Sequence, residues 1–404
     1  MSRLRKPRLL VLNQYYWPGV EATAQLLTEL CEGLAEELDV KVVTGVLHGH
    51  EDAPRRLVQN GVQVVRVPST SFERSKIFAR VSNYASYLTN ALLRSLRGPR
   101  PDVVLCMTDP PIVADIAMLV ARRYRAPLVV ISQDVFPEIA VQLNRLENRA
   151  LMGLLRGLVG LYLRRADRIV AIGETMRQRL EEKGAPPDRL RVIPNWVDTK
   201  RLAPLEEANA WARGYELEDR FVVMHSGNVG HAQDLDSLVR AGTFLRDLDD
   251  LSILIIGTGA RHADLVTLAE RLEVEHVRFL YYQPRGDLQQ SLSAADVHVV
   301  GLAPGLAGYV VPSRLYGILA VAKPVIVAAD AESETAQLVE SVGCGVVVPP
   351  GRPELLARAI RDAHDGKYDL EAMGALGREW VEREAERSVA VRRYRDLLLE
   401  LAPS

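Results

Sequence analysis

The sequence predicts two successive α/β domains, each a doubly wound parallel sheet with helices on both faces. Three observations carry this. Short, continuously apolar, β-branched runs alternate with segments of helical periodicity, and unbroken apolar strands belong to parallel sheets covered on both sides. The alternation fades once, near residue 200, and then restarts. The 404 residues, 48% apolar and 25% charged, have a globular composition and enough length for two or three domains. Disorder as the main state is excluded, because it needs low hydrophobicity and high net charge.

The first domain, expected over residues 1–200, opens with an apolar strand at 9–12, a loop at 15–20 and a helix at 24–38, where Leu26, Leu27, Leu30, Leu34 and Leu38 recur at helical spacing. Further strands are expected at 40–44, 62–67, 103–106, 128–131, 169–172 and 190–193, with helices at 77–96, 112–124, 149–163 and 175–183. A charged, Ala-rich stretch then runs to residue 219. The second domain, expected over 201–385, has strands at 221–224, 253–256, 277–280, 297–300, 325–327 and 345–348. Its helices are expected at 236–248, 263–272, 288–294, 315–321, 333–342 and 355–363, and a charged helical segment at 373–401 closes the chain. No period of 20–50 residues recurs, which excludes a solenoid.

Net charge is only −2, but residues 1–200 carry 29 Lys and Arg against 21 Asp and Glu, whereas the remainder carries 21 against 31. A basic half suits anionic lipid or a phosphorylated substrate. Nucleic acid is set aside, since no nucleic-acid motif accompanies the charge. Residues 145–168 mix Leu146, Leu151, Leu154, Leu155, Leu158, Leu161 and Leu163 with arginines. That pattern fits a basic amphipathic helix on an anionic membrane surface, or equally a core helix with one wet face. The three cysteines, Cys31, Cys106 and Cys344, lack metal-ligand or redox spacing, so a reduced, cytoplasmic protein is expected. No apolar run approaches the ~20 residues of a spanning helix, and the run behind the basic N-terminus stops at Asn13-Gln14, too short for a signal sequence.

In doubly wound sheets ligands sit beyond the carboxyl ends of the strands, so the residues following each strand are the candidates. The second domain offers His225-Ser226-Gly227-Asn228-Val229-Gly230, then Ile256-Gly257-Thr258-Gly259, then Tyr282, then Val311-Pro312-Ser313-Arg314-Leu315 opening a helix. Each alone reads as ordinary turn glycine or surface arginine. Together on one sheet edge they suit phosphate, which takes close backbone approach, helix-start N–H groups and a charged donor. The spaced-glycine dinucleotide fingerprint is missing, since only Gly19 follows the first strand, and no phosphate loop ends in Gly-Lys-Ser/Thr. Dehydrogenases and P-loop kinases are thereby disfavoured.

The first domain's strand ends carry Asn13-Gln14-Tyr15-Tyr16-Trp17-Pro18-Gly19, Thr108-Asp109-Pro110-Pro111, Ser132-Gln133-Asp134-Val135-Phe136-Pro137-Glu138 and Gly173-Glu174-Thr175. Aromatics with amides and carboxylates suit a carbohydrate. Tyr16, Trp17, Gly19 and Asp109 are the candidate acceptor contacts, and Asp134 and Glu138 the candidate catalytic carboxyl groups. Trp17 reads equally as core, and Asp109 and Glu174 equally as turn residues.

Ile193-Pro194-Asn195-Trp196-Val197-Asp198 resembles the signature that ends the first domain of retaining GT-B glycosyltransferases of glycosyltransferase family 4. Asn13-Gln14-Tyr15-Tyr16-Trp17-Pro18 resembles the opening loop of that family's bacterial surface-polysaccharide branch. Ala171-Ile172-Gly173-Glu174-Thr175-Met176, Ser226-Gly227-Asn228, Ile256-Gly257-Thr258-Gly259 and Val311-Pro312-Ser313-Arg314-Leu315-Tyr316-Gly317 follow in the family's order. The resemblance implies two Rossmann-like domains facing across a cleft, with a C-terminal helix at 386–404 returning to the first. It implies a nucleotide-sugar donor, UDP-linked by expectation, on the second domain and a glycan or polyprenyl-diphosphate-linked acceptor on the first. It also implies retention at the anomeric carbon with neither metal nor cofactor. The chain departs from the family at Asn228 and Gln233, where many members carry an Arg and a Lys for the diphosphate, and at Tyr309 and Gly317, where two glutamates stand. An acceptor-site histidine of many members falls at or beside Asp134. Arg314 is the substitute for the phosphate charge, and Glu332 or Glu334 for the ribose contact.

On this reading the leaving diphosphate gathers negative charge that a helix start, backbone N–H groups and a cation must stabilise. Retention follows from front-face attack, with the leaving phosphate taking the acceptor's proton. Double displacement would instead need Asp134 as nucleophile. Two other functions share the architecture: a nucleotide-sugar 2-epimerase, which needs no acceptor, and a sugar-nucleotide-binding protein without turnover.

Overall fold

The computed structural model describes residues 5–402 apart from Val20, 71–76, 144–147 and Arg285. Arg145 and Leu146 of the basic leucine segment therefore lie outside the described residues, as does Val20 at the end of the first loop. The chain divides into two units, Met1–Pro194 with Arg387–Ser404, and Asn195–Glu386.

In the first unit β1 (Arg8–Leu12) leads through α1 (Ala22–Leu34) to β2 (Asp39–Thr44), β3 (Arg56–Gln59), β4 (Val62–Arg66), α2 (Ile77–Leu96), β5 (Val103–Met107) and α3 (Val113–Tyr124). Then come β6 (Leu128–Ser132), α4 (Glu138–Gln142), α5 (Arg149–Arg165), β7 (Arg168–Ala171), α6 (Glu174–Glu182) and β8 (Leu190–Val192). The sheet order is β3-β4-β2-β1-β5-β6-β7-β8. All pairs are parallel except β3–β4, a hairpin turned by Asn60 (φ 46°) and Gly61 (φ 81°). An Asn-Gly pair suits such a turn because both residues take positive φ at small cost. No apolar run announces β3, because it is an edge strand whose residues alternate between exposed and half-buried.

The second unit runs α7 (Ala210–Gly214), β9 (Phe221–Ser226), α8 (Leu235–Ala241), β10 (Leu251–Ile256), α9 (His262–Arg271), β11 (Val277–Leu280), α10 (Leu288–Ser293) and β12 (Val297–Gly301). It continues with α11 (Arg314–Ala320), β13 (Val325–Ala328), α12 (Glu334–Val342), β14 (Gly345–Val348), α13 (Pro353–His364) and α14 (Leu370–Glu384). Its sheet is wholly parallel, in the order β11-β10-β9-β12-β13-β14. β10 and β12 are buried along their whole length, as strands covered on both faces must be.

Two helical expectations change. The helix expected at 236–248 stops at Ala241 and gives way to a 3₁₀ turn at Gly242–Phe244. A Cβ at Gly242 would stand 3.1 Å from side-chain atoms of both His276 and Val277, so the chain runs close to them at this turn. The segment expected as one helix over 373–401 breaks into α14 and α15 (Arg387–Leu401). At the break the Ala385 carbonyl accepts from the Val197 N–H at 3.0 Å and Glu386 bridges to Val197, so the backbone is extended there. α15 belongs to the first unit and packs on α1, with Val391 seated over Gly33. No helix among the described residues is long and apolar enough to cross a membrane.

Each sheet has a point where strand order reverses, between β1 and β5 in the first and between β9 and β12 in the second. The connections leave in opposite directions there, which opens a crevice at the carboxyl ends of those strands.

Candidate functional site

The second unit's crevice is built by loops that only glycine permits. Gly227 (φ 139°) ends β9 and Gly257 (φ 140°) ends β10, both in the region where a side chain is strained. A Cβ on Gly257 would lie 1.8 Å from the Gly227 carbonyl oxygen, and one on Gly259 would lie 2.2 Å from that of Val229. The two loops therefore run backbone against backbone. The N–H of Gly227 donates to Ile256, that of Val229 to Thr258 and that of Arg261 to Val229, all within 3.0 Å. Gly301, ending β12, makes a similar approach to Gln233, and the Ala303 N–H donates to the Ala232 carbonyl at 2.8 Å.

Arg314, the first residue of α11, enters this crevice. Its Nη1 stands 2.5 Å from Nε2 and 3.0 Å from Nδ1 of His225, and its Nη2 reaches the Asn228 carbonyl at 3.5 Å. A Cβ at position 227 would come 3.3 Å from the guanidinium carbon, so Gly227 also leaves that group its room. Burial lowers Arg314 to about 10, which leaves it charged at neutral pH. Among the described residues no carboxylate pairs with it. His225 is wholly buried; desolvation and then the Arg314 charge hold it well below the usual histidine range, so it is a neutral imidazole.

The other expected donor contacts distribute unevenly. Asn228 is exposed, while the Gln233 side chain is spent on the loop itself, accepting from the Gly230 N–H at 3.0 Å. Pro312 and Ser313 are half-buried beside Arg314, but Leu315 is core, at 1% exposure, so its side chain cannot meet a ligand. Tyr282 is exposed just beyond β11, next to Tyr281, whose ring stacks on His262 at 5.7 Å. Glu332 is exposed before α12, and Glu334 opens that helix, with its charge felt by the buried Tyr316 phenol. A Cβ at Gly317 would meet Leu292 and Leu202, so that position faces apolar neighbours.

In the first unit the loops after β1, β5 and β6 are tied to one another. The Gln14 N–H donates to the Asp109 carbonyl, the Gln133 N–H to Thr108 Oγ1, and Thr23 Oγ1 to Asp109 Oδ2 at 3.2 Å. Burial, and then the neighbouring Asp109 charge, push Asp134 up to about 7. A carboxyl group titrating there can hold or release a proton at neutral pH, as acid–base work requires. Glu138 differs. Burial alone would raise it, but hydrogen bonds and ion pairs from Lys183 and Arg156 outweigh that and hold it below its usual range. Its carboxylate ties the start of α4 to Arg156 of α5 and to Lys183, just after α6.

Tyr16, expected as an acceptor contact, has no exposed surface, and burial, then the nearby Cys31 and Glu32, raise its phenol. Trp17 and Gly19 are half-buried. Arg66, which sequence reasoning missed, holds this loop. Its guanidinium donates to the carbonyls of Trp17 at 2.6 Å and Pro54 at 2.7 Å and lies 5.6 Å from the Trp17 ring centroid. His225 and Thr108 stood among the strand-end candidates without an assigned role. Their positions at strand ends were the available signal, but nothing local says which loop they touch.

Two α/β units, each with a switch point in its sheet, define a two-domain, doubly wound fold. Comparison with known proteins agrees. Residues 21–196 match the model of the glycosyl transferase 4-like domain, and residues 209–380 match that of glycosyl transferases group 1. Over 96% of both chains, the protein is 25% identical to WbjE of Pseudomonas aeruginosa, named as a glycosyltransferase. It is also 25% identical to WcaI of Escherichia coli K12, named as a colanic acid biosynthesis glycosyl transferase, over 96% of this chain and 98% of that one. Among solved structures, HepE of Anabaena in complex with UDP and glucose superposes with a TM-score of 0.76 at 15% identity, covering 98% of this chain and 100% of that one. WaaG, described as a glycosyltransferase involved in lipopolysaccharide biosynthesis, gives 0.71 at 16% identity, covering 96% and 99%. The protein belongs to the GT-B glycosyltransferases that join a glycosyl transferase 4-like domain to a group 1 domain.

Proposed function

We propose that this glycosyltransferase moves a sugar from a nucleoside-diphosphate sugar, UDP-linked, to a glycan or polyprenyl-diphosphate-linked acceptor in cell-surface polysaccharide assembly. The observation that carries the donor half is the Arg314 guanidinium lying against the Gly227–Asn228 backbone without a carboxylate partner among the described residues. Backbone loops and one cation are what a departing diphosphate needs for its growing charge. The names of WbjE, WcaI and HepE's bound UDP favour this class of donor and product.

On the acceptor side, Asp134 follows β6 and feels the charge of Asp109, which follows β5 at the first unit's switch point. In this proposal Asp134 orients the acceptor hydroxyl or takes its proton. The reaction goes with retention by front-face attack, the leaving phosphate serving as the other base, and without a metal ion. The acceptor is presented at an anionic membrane surface, which the protein meets from the cytoplasmic side through α5.

A thermal-shift panel of UDP-, GDP- and dTDP-sugars identifies the donor, since a ligand at about 100-fold its Kd stabilises by about 2.7 kcal/mol. Arg314→Ala is expected to weaken binding of that donor by about 1.5–3 kcal/mol, the range for a hydrogen bond to a charged group. Unchanged affinity sinks the assignment. Product formed without any added acceptor would make the protein an epimerase instead.

A further inference from the structure

We propose that His225 is a positioning residue for Arg314: its buried imidazole accepts a hydrogen bond from the guanidinium and holds it over the Gly227–Asn228 loop. This rests on the reading that Arg314 meets the donor diphosphate. An arginine side chain has many rotamers, and an unfixed one loses much of its binding strength to ordering. α11 supplies the backbone anchor of Arg314 but not the aim of its far end. The aim comes from β9, a strand flanked by β10 and β12, through a residue with no solvent exposure.

The chemistry of the partner matters. A carboxylate at position 225 would also fix the guanidinium, but it would cancel the charge and repel phosphate. A neutral imidazole accepts the hydrogen bond and leaves the full positive charge for the ligand. Burial keeps His225 in that neutral form, and the adjacent Arg314 charge acts the same way. The geometry agrees: Nη1 lies 2.5 Å from Nε2 and 3.0 Å from Nδ1 of His225, while Nη2 lies 3.5 Å from the Asn228 carbonyl, longer than a strong hydrogen bond. One arm of the fork is tied down and the other is open to a better acceptor.

The test is calorimetric titration of UDP and GDP, each beside its own nucleoside. The proteins are wild type, Arg314→Ala, His225→Phe, His225→Gln and the double variant His225→Phe/Arg314→Ala. Arg314→Ala is expected to weaken the diphosphate that binds by about tenfold or more and to leave the nucleoside unchanged. His225→Phe is expected to weaken the same diphosphate by about three- to tenfold, again without touching the nucleoside, and to add nothing in the Arg314→Ala background. His225→Gln, whose amide oxygen can accept the hydrogen bond, should stay within about twofold of wild type. An equal loss from His225→Phe in both backgrounds, or no loss in either, overturns the positioning role. Unchanged diphosphate affinity in Arg314→Ala overturns the donor reading itself, whatever the His225 variants do. If the Phe variant does not fold, His225→Ala enters the same comparison.

Discussion

At the scale of residues, the first unit turns on two side chains with opposite fates. Asp134 and Glu138 are four positions apart, yet Asp134 is pushed up to about 7 while Glu138 is held below its usual range by Lys183 and Arg156. Asp134→Asn keeps the shape and removes the charge. Turnover is expected to fall by about 10²–10⁴-fold with donor affinity intact. In the wild type, turnover should rise with pH through about 7 as Asp134 ionises. The stability effect has the opposite sense. A folded pKa raised above the unfolded value means the native state binds the extra proton, so this contribution is full below about 4 and lost as pH rises through about 7. Asp134→Asn should therefore melt higher than wild type at pH 8 and show no such gain at pH 4; parallel melting curves at the two pH values decide it. Arg66 is the second case. Arg66→Ala removes two hydrogen bonds and the contact with the Trp17 ring, and is expected to cost about 1–3 kcal/mol. The acceptor KM should rise while the donor Kd stays fixed. Equal change in both would assign Arg66 to general stability.

At the scale of elements, the proposed membrane contact is tested on α5. Met152, Val159, Tyr162 and Leu163 are buried, so part of the apolar pattern is core. Leu151 and Leu154 are exposed at 42% and 60%, and Arg149 and Arg164 are exposed with them. Arg156, by contrast, is tied to Glu138. Each Lys or Arg near an anionic surface contributes about 1 kcal/mol, decaying over a Debye length of about 8 Å. Sedimentation should show salt-sensitive binding to anionic vesicles and little to neutral ones, reduced in Arg149→Glu/Arg164→Glu and in Leu151→Ser/Leu154→Ser. Indifference to both vesicle types would mean that the enzyme takes its acceptor from solution. Elements also explain where sequence periodicity misled. A stretch such as 236–248 keeps an apolar face through Leu245 and Leu248, but at Gly242 the helix gives way to a 3₁₀ turn packed close to His276 and Val277, residues far along the chain.

At the scale of the whole molecule, the two units are joined by a chain that crosses twice. The second unit ties both of its ends together: Val197 donates to Ala385, and Arg378 donates to the carbonyls of Thr199 and Leu202. α15 then completes the first unit, burying Ala390, Tyr394, Leu397 and Leu398. Ending the chain at Glu386 should destabilise the first unit by several kcal/mol, at about 1.5–3 kcal/mol per large buried side chain. Nucleoside-diphosphate binding by the second unit should persist. Calorimetric scanning with and without nucleotide separates the two: a single lowered transition that nucleotide no longer shifts would contradict this division of labour.

Composition and periodicity were enough for two doubly wound α/β domains, because a strand buried on both faces must be apolar throughout and a covering helix must repeat every three to four residues. The ordered motifs were enough for the family. They also put Gly227, Gly257 and Arg314 on the strand-end edge, since strand direction in a parallel sheet fixes which end a loop occupies. Tertiary structure alone decided which of these residues touch. Arg314 meets His225 across 89 positions of sequence, Glu138 meets Lys183 across 45, and Arg66 reaches Trp17 across 49. Such pairings depend on strand order, and β9 lies between β10 and β12 only because the chain reverses direction in the sheet. Local sequence carries no term for that order. For the same reason it could not tell a carboxyl group left beside another carboxyl from one claimed by two cations.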